Sequence, residues 1–101
     1  MNAEPPIACR LTEPALQERR NRVLQEVWQS ILEVRELEDG FAYRFPANDA
    51  WLGSLNEFIR FERRCCPFLS FRMLVEPDDG PVWLELRGPA GTKEFLATLF
   101  S

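Results

Sequence analysis

Histidine is missing from all 101 residues of the chain. That excludes His-paired nucleophiles, His-ligated metal sites and an imidazole general base. Lys93 is the only lysine and Tyr43 the only tyrosine. Any catalysis would therefore run on carboxylates, arginines, those two side chains or thiols. There is no Gly-rich phosphate loop either, since "GPAG" at 88–91 lacks P-loop or dinucleotide spacing. No apolar run approaches the ~18 to 20 residues that a membrane span requires. The first ten residues, "MNAEPPIACR", carry no basic segment followed by an apolar one, so nothing there marks the chain for export. The expectation is a cytoplasmic protein whose thiols stay reduced.

Positive charge is also in short supply. The net charge is −4, so the chain lacks the basic field that drives phosphate binding. Two arginine clusters exist, Arg19, Arg20 and Arg22, then Arg60, Arg63 and Arg64, but acidic residues surround them. They read as solvated helix faces with i,i+4 partners. Neither a nucleic acid nor a membrane is an expected partner.

What is present is apolar material: 46% of residues are hydrophobic and 12% aromatic. A chain of this length with that composition forms one domain, residues 1–101, with a real core. Residues 1–11 hold Pro5 and Pro6 and read as an extended N-terminal arm. Thr12 is a fair helix N-cap, followed by Glu13 and Pro14 in the first turn. Leu16, Val23, Leu24, Val27, Trp28 and Ile31 then recur with a period of about 3.6, predicting an amphipathic helix to about Leu32.

"EVRELEDGFAYRFP" reads as a β-hairpin around Asp39-Gly40. A two-residue loop at Asp39-Gly40 sets Leu37 opposite Ala42. A three-residue loop, Glu38-Asp39-Gly40, sets Leu37 opposite Phe41 and joins it to the Phe41, Tyr43, Phe45 face, which is the preferred register. Asn48 or Asp49 caps a second helix over residues 50 to about 65. Its stripe is Trp51, Leu52, Leu55, Phe58, Ile59, Glu62, Cys65 and Cys66, and Pro67 stops it. Leu69, Phe71, Met73 and Val75 alternate in a third strand. "PDDG" is a turn, and Val82, Leu84 and Leu86 alternate in a fourth strand. "GTKEFLATLF" is a short last helix with Phe95, Leu96, Leu99 and Phe100 inward. The fold class is α+β, in the order α-ββα-ββα, with a four-stranded, mainly antiparallel sheet and helices on one face. The other face would carry Arg44, Ser70, Arg72, Leu74, Trp83, Glu85 and Arg87. Leu74 and Trp83 there are either isolated surface apolars or the centre of a homodimer patch.

The chemistry-bearing stretch is "FERRCCPFLSF". Adjacent α-carbons lie about 3.8 Å apart, below the usual disulfide span, so a Cys65–Cys66 bridge would be strained. In a continuous helix the two side chains diverge by about 100°. Pro67 ends the helix and could turn both sulfurs toward one place. Glu62 sits on the apolar stripe three residues before Cys65, where a lone carboxylate is costly; it needs an arginine of the first helix, another hydrogen-bond partner or a metal. Arg63 and Arg64 favour a thiolate while the helix C-terminus opposes one. Cys9 on the arm could supply a third sulfur. Without histidine, zinc fits such a set poorly, and a thiophilic ion such as Hg(II), As(III) or Cu(I) fits it better. The same cysteines could equally be core filling or redox-sensing thiols, because buried cysteine is common and "CC" lacks metal-finger spacing.

Taken as "CRLT…FERRCCPFLSF…LELRGPAG", the chain resembles a family of small uncharacterised bacterial proteins. They share a C-x-L opening, an E-R-x-C-C-P-F segment and a strand-rich end followed by a short helix. Cys9, Leu11, Glu62, Arg63, Cys65, Cys66, Pro67 and Phe68 match that pattern, over roughly residues 7 to 100. The resemblance implies no catalytic residues. It associates such proteins with heavy-metal-response gene neighbourhoods, and so implies thiophilic metal binding through Cys9, Cys65, Cys66 and Glu62. Two other readings stand beside it. One is a structural or homodimer-forming module whose cysteines only pack. The other, the weakest, is an enzyme with a Cys nucleophile and Glu62 as its base.

Overall fold

The computed structural model describes residues 13–99. The arm at 1–11, Cys9, Thr12 and Phe100 lie outside them. Three helices and four strands follow in the expected order: α1 Pro14–Gln29, β1 Glu33–Leu37, β2 Gly40–Phe45, α2 Asp49–Cys65, β3 Ser70–Val75, β4 Val82–Arg87 and α3 Thr92–Leu99. The sheet is antiparallel throughout, in the order β1-β2-β4-β3. The architecture is α+β.

α1 is capped by Glu13, without a side-chain cap hydrogen bond, and Pro14 opens it. That places the cap one residue after Thr12, because proline needs no backbone donor in the first helical turn. The helix ends at Gln29, short of the expected Leu32, because the Leu32 amide already donates to the Arg44 carbonyl at 2.8 Å. The sheet ladder thus captures the chain before another helical turn can form. α2 starts where the sequence predicts: Asn48 is extended and its side chain accepts from the Ala50 amide at 2.9 Å. It stops at Cys65, with Cys66 outside helical geometry just before Pro67.

The first hairpin differs from both sequence-derived registers. Leu37 pairs with Gly40 and Glu36 with Phe41, so the loop is Glu38-Asp39 and Gly40 is the first residue of β2. Leu37 therefore lies on the opposite face from Phe41, Tyr43 and Phe45, and Val34 joins them instead. The reason is non-local. Gly40 also pairs with Arg87, and a Cβ at Gly40 would sit 1.8 Å from the Leu86 carbonyl oxygen. Glycine is needed there for close approach to β4, not for a left-handed turn. The second hairpin behaves as read. Asp78 and Asp79 both have positive φ, 58° and 55°, and Gly80 N–H donates to the Pro77 carbonyl, forming a mirror-type turn that matches strand twist.

One face of the sheet packs under the helices. Tyr43, Phe45, Val82, Leu84 and Leu86 join Val23 and Val27 of α1, Leu55 and Phe58 of α2, and Leu96 of α3 in one buried cluster. The other face is charged. Arg44 pairs with Glu33, Arg87 with Asp39 and Glu85, and the Arg35 guanidinium lies 4.4 Å from the Trp83 ring centre. Arg35 thus lies over Trp83, and Leu74, the cross-strand partner of Trp83, is 39% exposed on that face. Trp28, Leu32 and Val34 are exposed near the β1 edge. No helix among the described residues is long and apolar enough to cross a membrane.

Candidate thiol site

The site grows from the last turn of α2. Positions 55, 58, 62 and 65 follow one helical stripe, and all four side chains are buried. Three are suited to a core; Glu62 is not, and at 1% exposure its carboxylate must be matched within the protein. Arg20 of α1 matches it. Its Nε donates to Glu62 Oε2 at 2.7 Å and one terminal nitrogen donates to Oε1 at 2.9 Å, a two-point contact fitted to guanidinium geometry. The hydrogen bond to Glu62 raises the pKa of Arg20, against the opposing effect of burial. Arg20 lies four residues after Leu16 and three before Val23, so it occupies the apolar stripe of α1 and is aimed inward.

Cys66 completes a three-group chain. Its thiol donates to Glu62 Oε1 across 3.7 Å, and its backbone N–H donates to the Glu62 carbonyl at 2.7 Å. Burial pushes the Cys66 thiol up to about 12, with the Glu62 carboxylate adding to that and Arg20 opposing it. At neutral pH Cys66 is a protonated thiol and a poor nucleophile. Arg63 and Arg64 do not decide this. Both are exposed, and the charged groups acting on Cys66 are Glu62 and Arg20.

Cys65 differs from its neighbour. It is fully buried and disulfide-bonded, whereas Cys66 is a free thiol. The expectation that all thiols are reduced therefore fails at Cys65, for a reason invisible to composition: pairing depends on which sulfurs the fold brings together. Of the four candidate ligands, Cys66 and Glu62 are in contact at the end of α2, Cys65 is buried at the last position of that helix, and Cys9 lies outside the described residues. Among the described residues no group of three or more Cys, Asp or Glu side chains is arranged to hold a metal ion.

A cleft of about 550 Å³ adjoins this end of α2, lined by Leu16 and Arg19 of α1 and by Arg60, Phe61 and Arg64 of α2. The first turns of α1 thus lie beside the last turns of α2. Arg20 is the residue that sequence reasoning left among three first-helix arginines. Its spacing from Leu16 and Val23 was the signal that could have singled it out. Comparison with protein-family models, with curated proteins and with solved structures finds no match.

Proposed function

We propose that the chain is a small binding domain that captures a thiophilic ion, in its reduced form, with the sulfurs of Cys9, Cys65 and Cys66. The observation that supports this reading is the pairing state of two consecutive cysteines. Cys65 already has a second sulfur within bonding reach, and Cys66, the next residue, keeps a free thiol. A set of three cysteine sulfurs would suit Hg(II), As(III) or Cu(I). Binding would displace thiol protons, so a protonated Cys66 is compatible with the site. Glu62 has its carboxylate occupied by Arg20 and supports the Cys66 sulfur rather than filling the first coordination position.

Titrating the fully reduced protein with Hg(II) and following thiolate charge-transfer absorbance tests the reading. The expected result is a stoichiometric break at one ion per chain that weakens in Cys9→Ser. A featureless titration, or a Cys9→Ser variant indistinguishable from wild type, counts against it.

A second reading is favoured by one different observation. Trp28, Leu32 and Val34 are exposed together beside the β1 edge, so an interaction module whose cysteines only pack would use that edge rather than the Leu74 and Trp83 face. Sedimentation at high concentration, showing a dimer that Val34→Lys dissociates, would support it, and a monomer would oppose it.

A further inference from the structure

We infer that the cleft between the start of α1 and the end of α2 binds a small phosphomonoester with an apolar body, its phosphate held by Arg60, Arg63 and Arg64. The first support is an account of charge partners. Every described arginine of α1 and of the sheet meets a carboxylate, Arg22 on its own helix included. Among the described residues, Arg60, Arg63 and Arg64 are the arginines that meet none, and all three line this one cleft. The i,i+4 partner that helix spacing offers thus exists for Arg22, in Glu18, and fails on α2. Four residues before Arg64 stands Arg60, a second cation.

The helix repeat explains the convergence. Glu57, Arg60, Phe61 and Arg64 recur at intervals of three or four residues and so share one face of α2, turned toward Leu16 and Arg19. Glu57 is already held by Arg19 at 2.7 Å, and Glu62 is buried under Arg20. The cleft is therefore lined by four arginines against one carboxylate, in a chain whose net charge is −4. The end of α2 accounts for part of this, because cations in a last turn face its free carbonyls, as Arg63 and Arg64 do. Arg60 lies a turn earlier, where that attraction has faded, and repels both neighbours until an anion is present.

The lining also sets the class of anion. A phosphomonoester offers three acceptor oxygens and nearly two negative charges near neutrality, which matches three guanidinium forks better than one carboxylate does. Leu16 and Phe61 supply apolar surface beside the cations, with the Arg19 guanidinium 5.7 Å from the centre of the Phe61 ring. The cleft, at about 550 Å³, has the size of a small-molecule site. A polynucleotide fits less well, since the acidic chain would repel a long polyanion beyond the cleft. The inference needs no thiol and stands apart from the ion-binding reading.

Calorimetric titration of the full chain with 1-naphthyl phosphate at neutral pH tests it, with arginine Nε–H resonances followed by NMR to place the ligand. One ligand per chain is expected, shifting Arg60, Arg63 and Arg64 most. Contact of the ring with Leu16 and Phe61 should make it at least about tenfold tighter than inorganic phosphate. Arg60→Gln should weaken binding by about fivefold or more, while Arg22→Gln, outside the cleft, leaves it unchanged. Glu57→Gln should tighten binding, because it removes the carboxylate of the lining and frees Arg19; a gain cannot come from misfolding. No binding, or equal losses in Arg60→Gln and Arg22→Gln, overturns the site. Inorganic phosphate bound as tightly as naphthyl phosphate overturns the apolar body. Tighter binding of phthalate overturns the phosphate class, and tighter binding of a single-stranded oligonucleotide overturns the small ligand.

Discussion

Between the helices, Arg20 and Glu62 form an ion pair with side chains 12% and 1% exposed. On the open face of the sheet, Arg35, Arg44, Arg72 and Arg87 meet Glu33, Glu85 and Asp39, and apart from Glu85, at 15%, these side chains are 35–68% exposed. The residue types are the same, and the depth reverses their weight. Exposed pairs contribute little because water and salt screen them and long side chains must be ordered. The buried pair stabilises little by comparison with an apolar replacement, yet cannot lose one partner without stranding the other. The open face can therefore vary with small consequences, whereas the Arg20–Glu62–Cys66 chain constrains what can sit at the end of α2. A buried charged pair is thus held directly beside a free thiol at that end of the molecule.

Substitutions sharpen the contrast. The largest effect is expected for Arg20→Met, which leaves Glu62 buried and unpaired and should cost about 3–5 kcal/mol in denaturant unfolding. Arg20→Met combined with Glu62→Leu should recover most of that loss; a double variant as unstable as the single one would show that the pair is not the cause. Next comes Gly40→Ala, whose methyl group has no room against the Leu86 carbonyl. A loss of about 1–3 kcal/mol is expected, and an unchanged midpoint would contradict the close approach of β2 to β4.

The thiol itself gives a pH-dependent signal. Cys66 has a pKa raised in the folded protein from 9.0 to about 12, so between those values the folded state holds a proton that the unfolded state has released. Stability should then fall as pH rises above about 9, by at most about 1.4 kcal/mol per pH unit for one proton. Burial raises Tyr43 in the same direction, starting from 10.0, so the window just above 9 belongs to Cys66. Thermal melts of Cys66→Ala should lack that first decline. The smallest effect is expected on the open face, where Arg35→Ala removes the cover over Trp83 and should cost under about 1 kcal/mol. A loss there as large as that of Arg20→Met would erase the distinction between the two regions.

What could be read in the residues, and what could not, divides by distance along the chain. The Asn48 cap, the stop at Pro67 and the alternation of Val82, Leu84 and Leu86 are short-range signals, and the structure has all three. Gly40 was misread as a turn glycine because its real constraint is the backbone of Leu86, far away in sequence. The need of Glu62 for a first-helix arginine was legible from burial alone. That Arg20 rather than Arg19 supplies it follows from its place on the stripe, while Arg19 turns outward to Glu57. The oxidation state of Cys65 was not legible at all, because adjacency in sequence says nothing about which distant sulfur the fold presents to it.

The central claim is that three sulfurs share one point in the reduced protein. X-ray absorption at the mercury edge, on reduced protein loaded with one Hg(II) per chain, tests it most directly. A first shell of three sulfurs that falls to two in Cys9→Ser is the predicted result. A two-sulfur shell in wild type, unchanged by that substitution, would contradict the account.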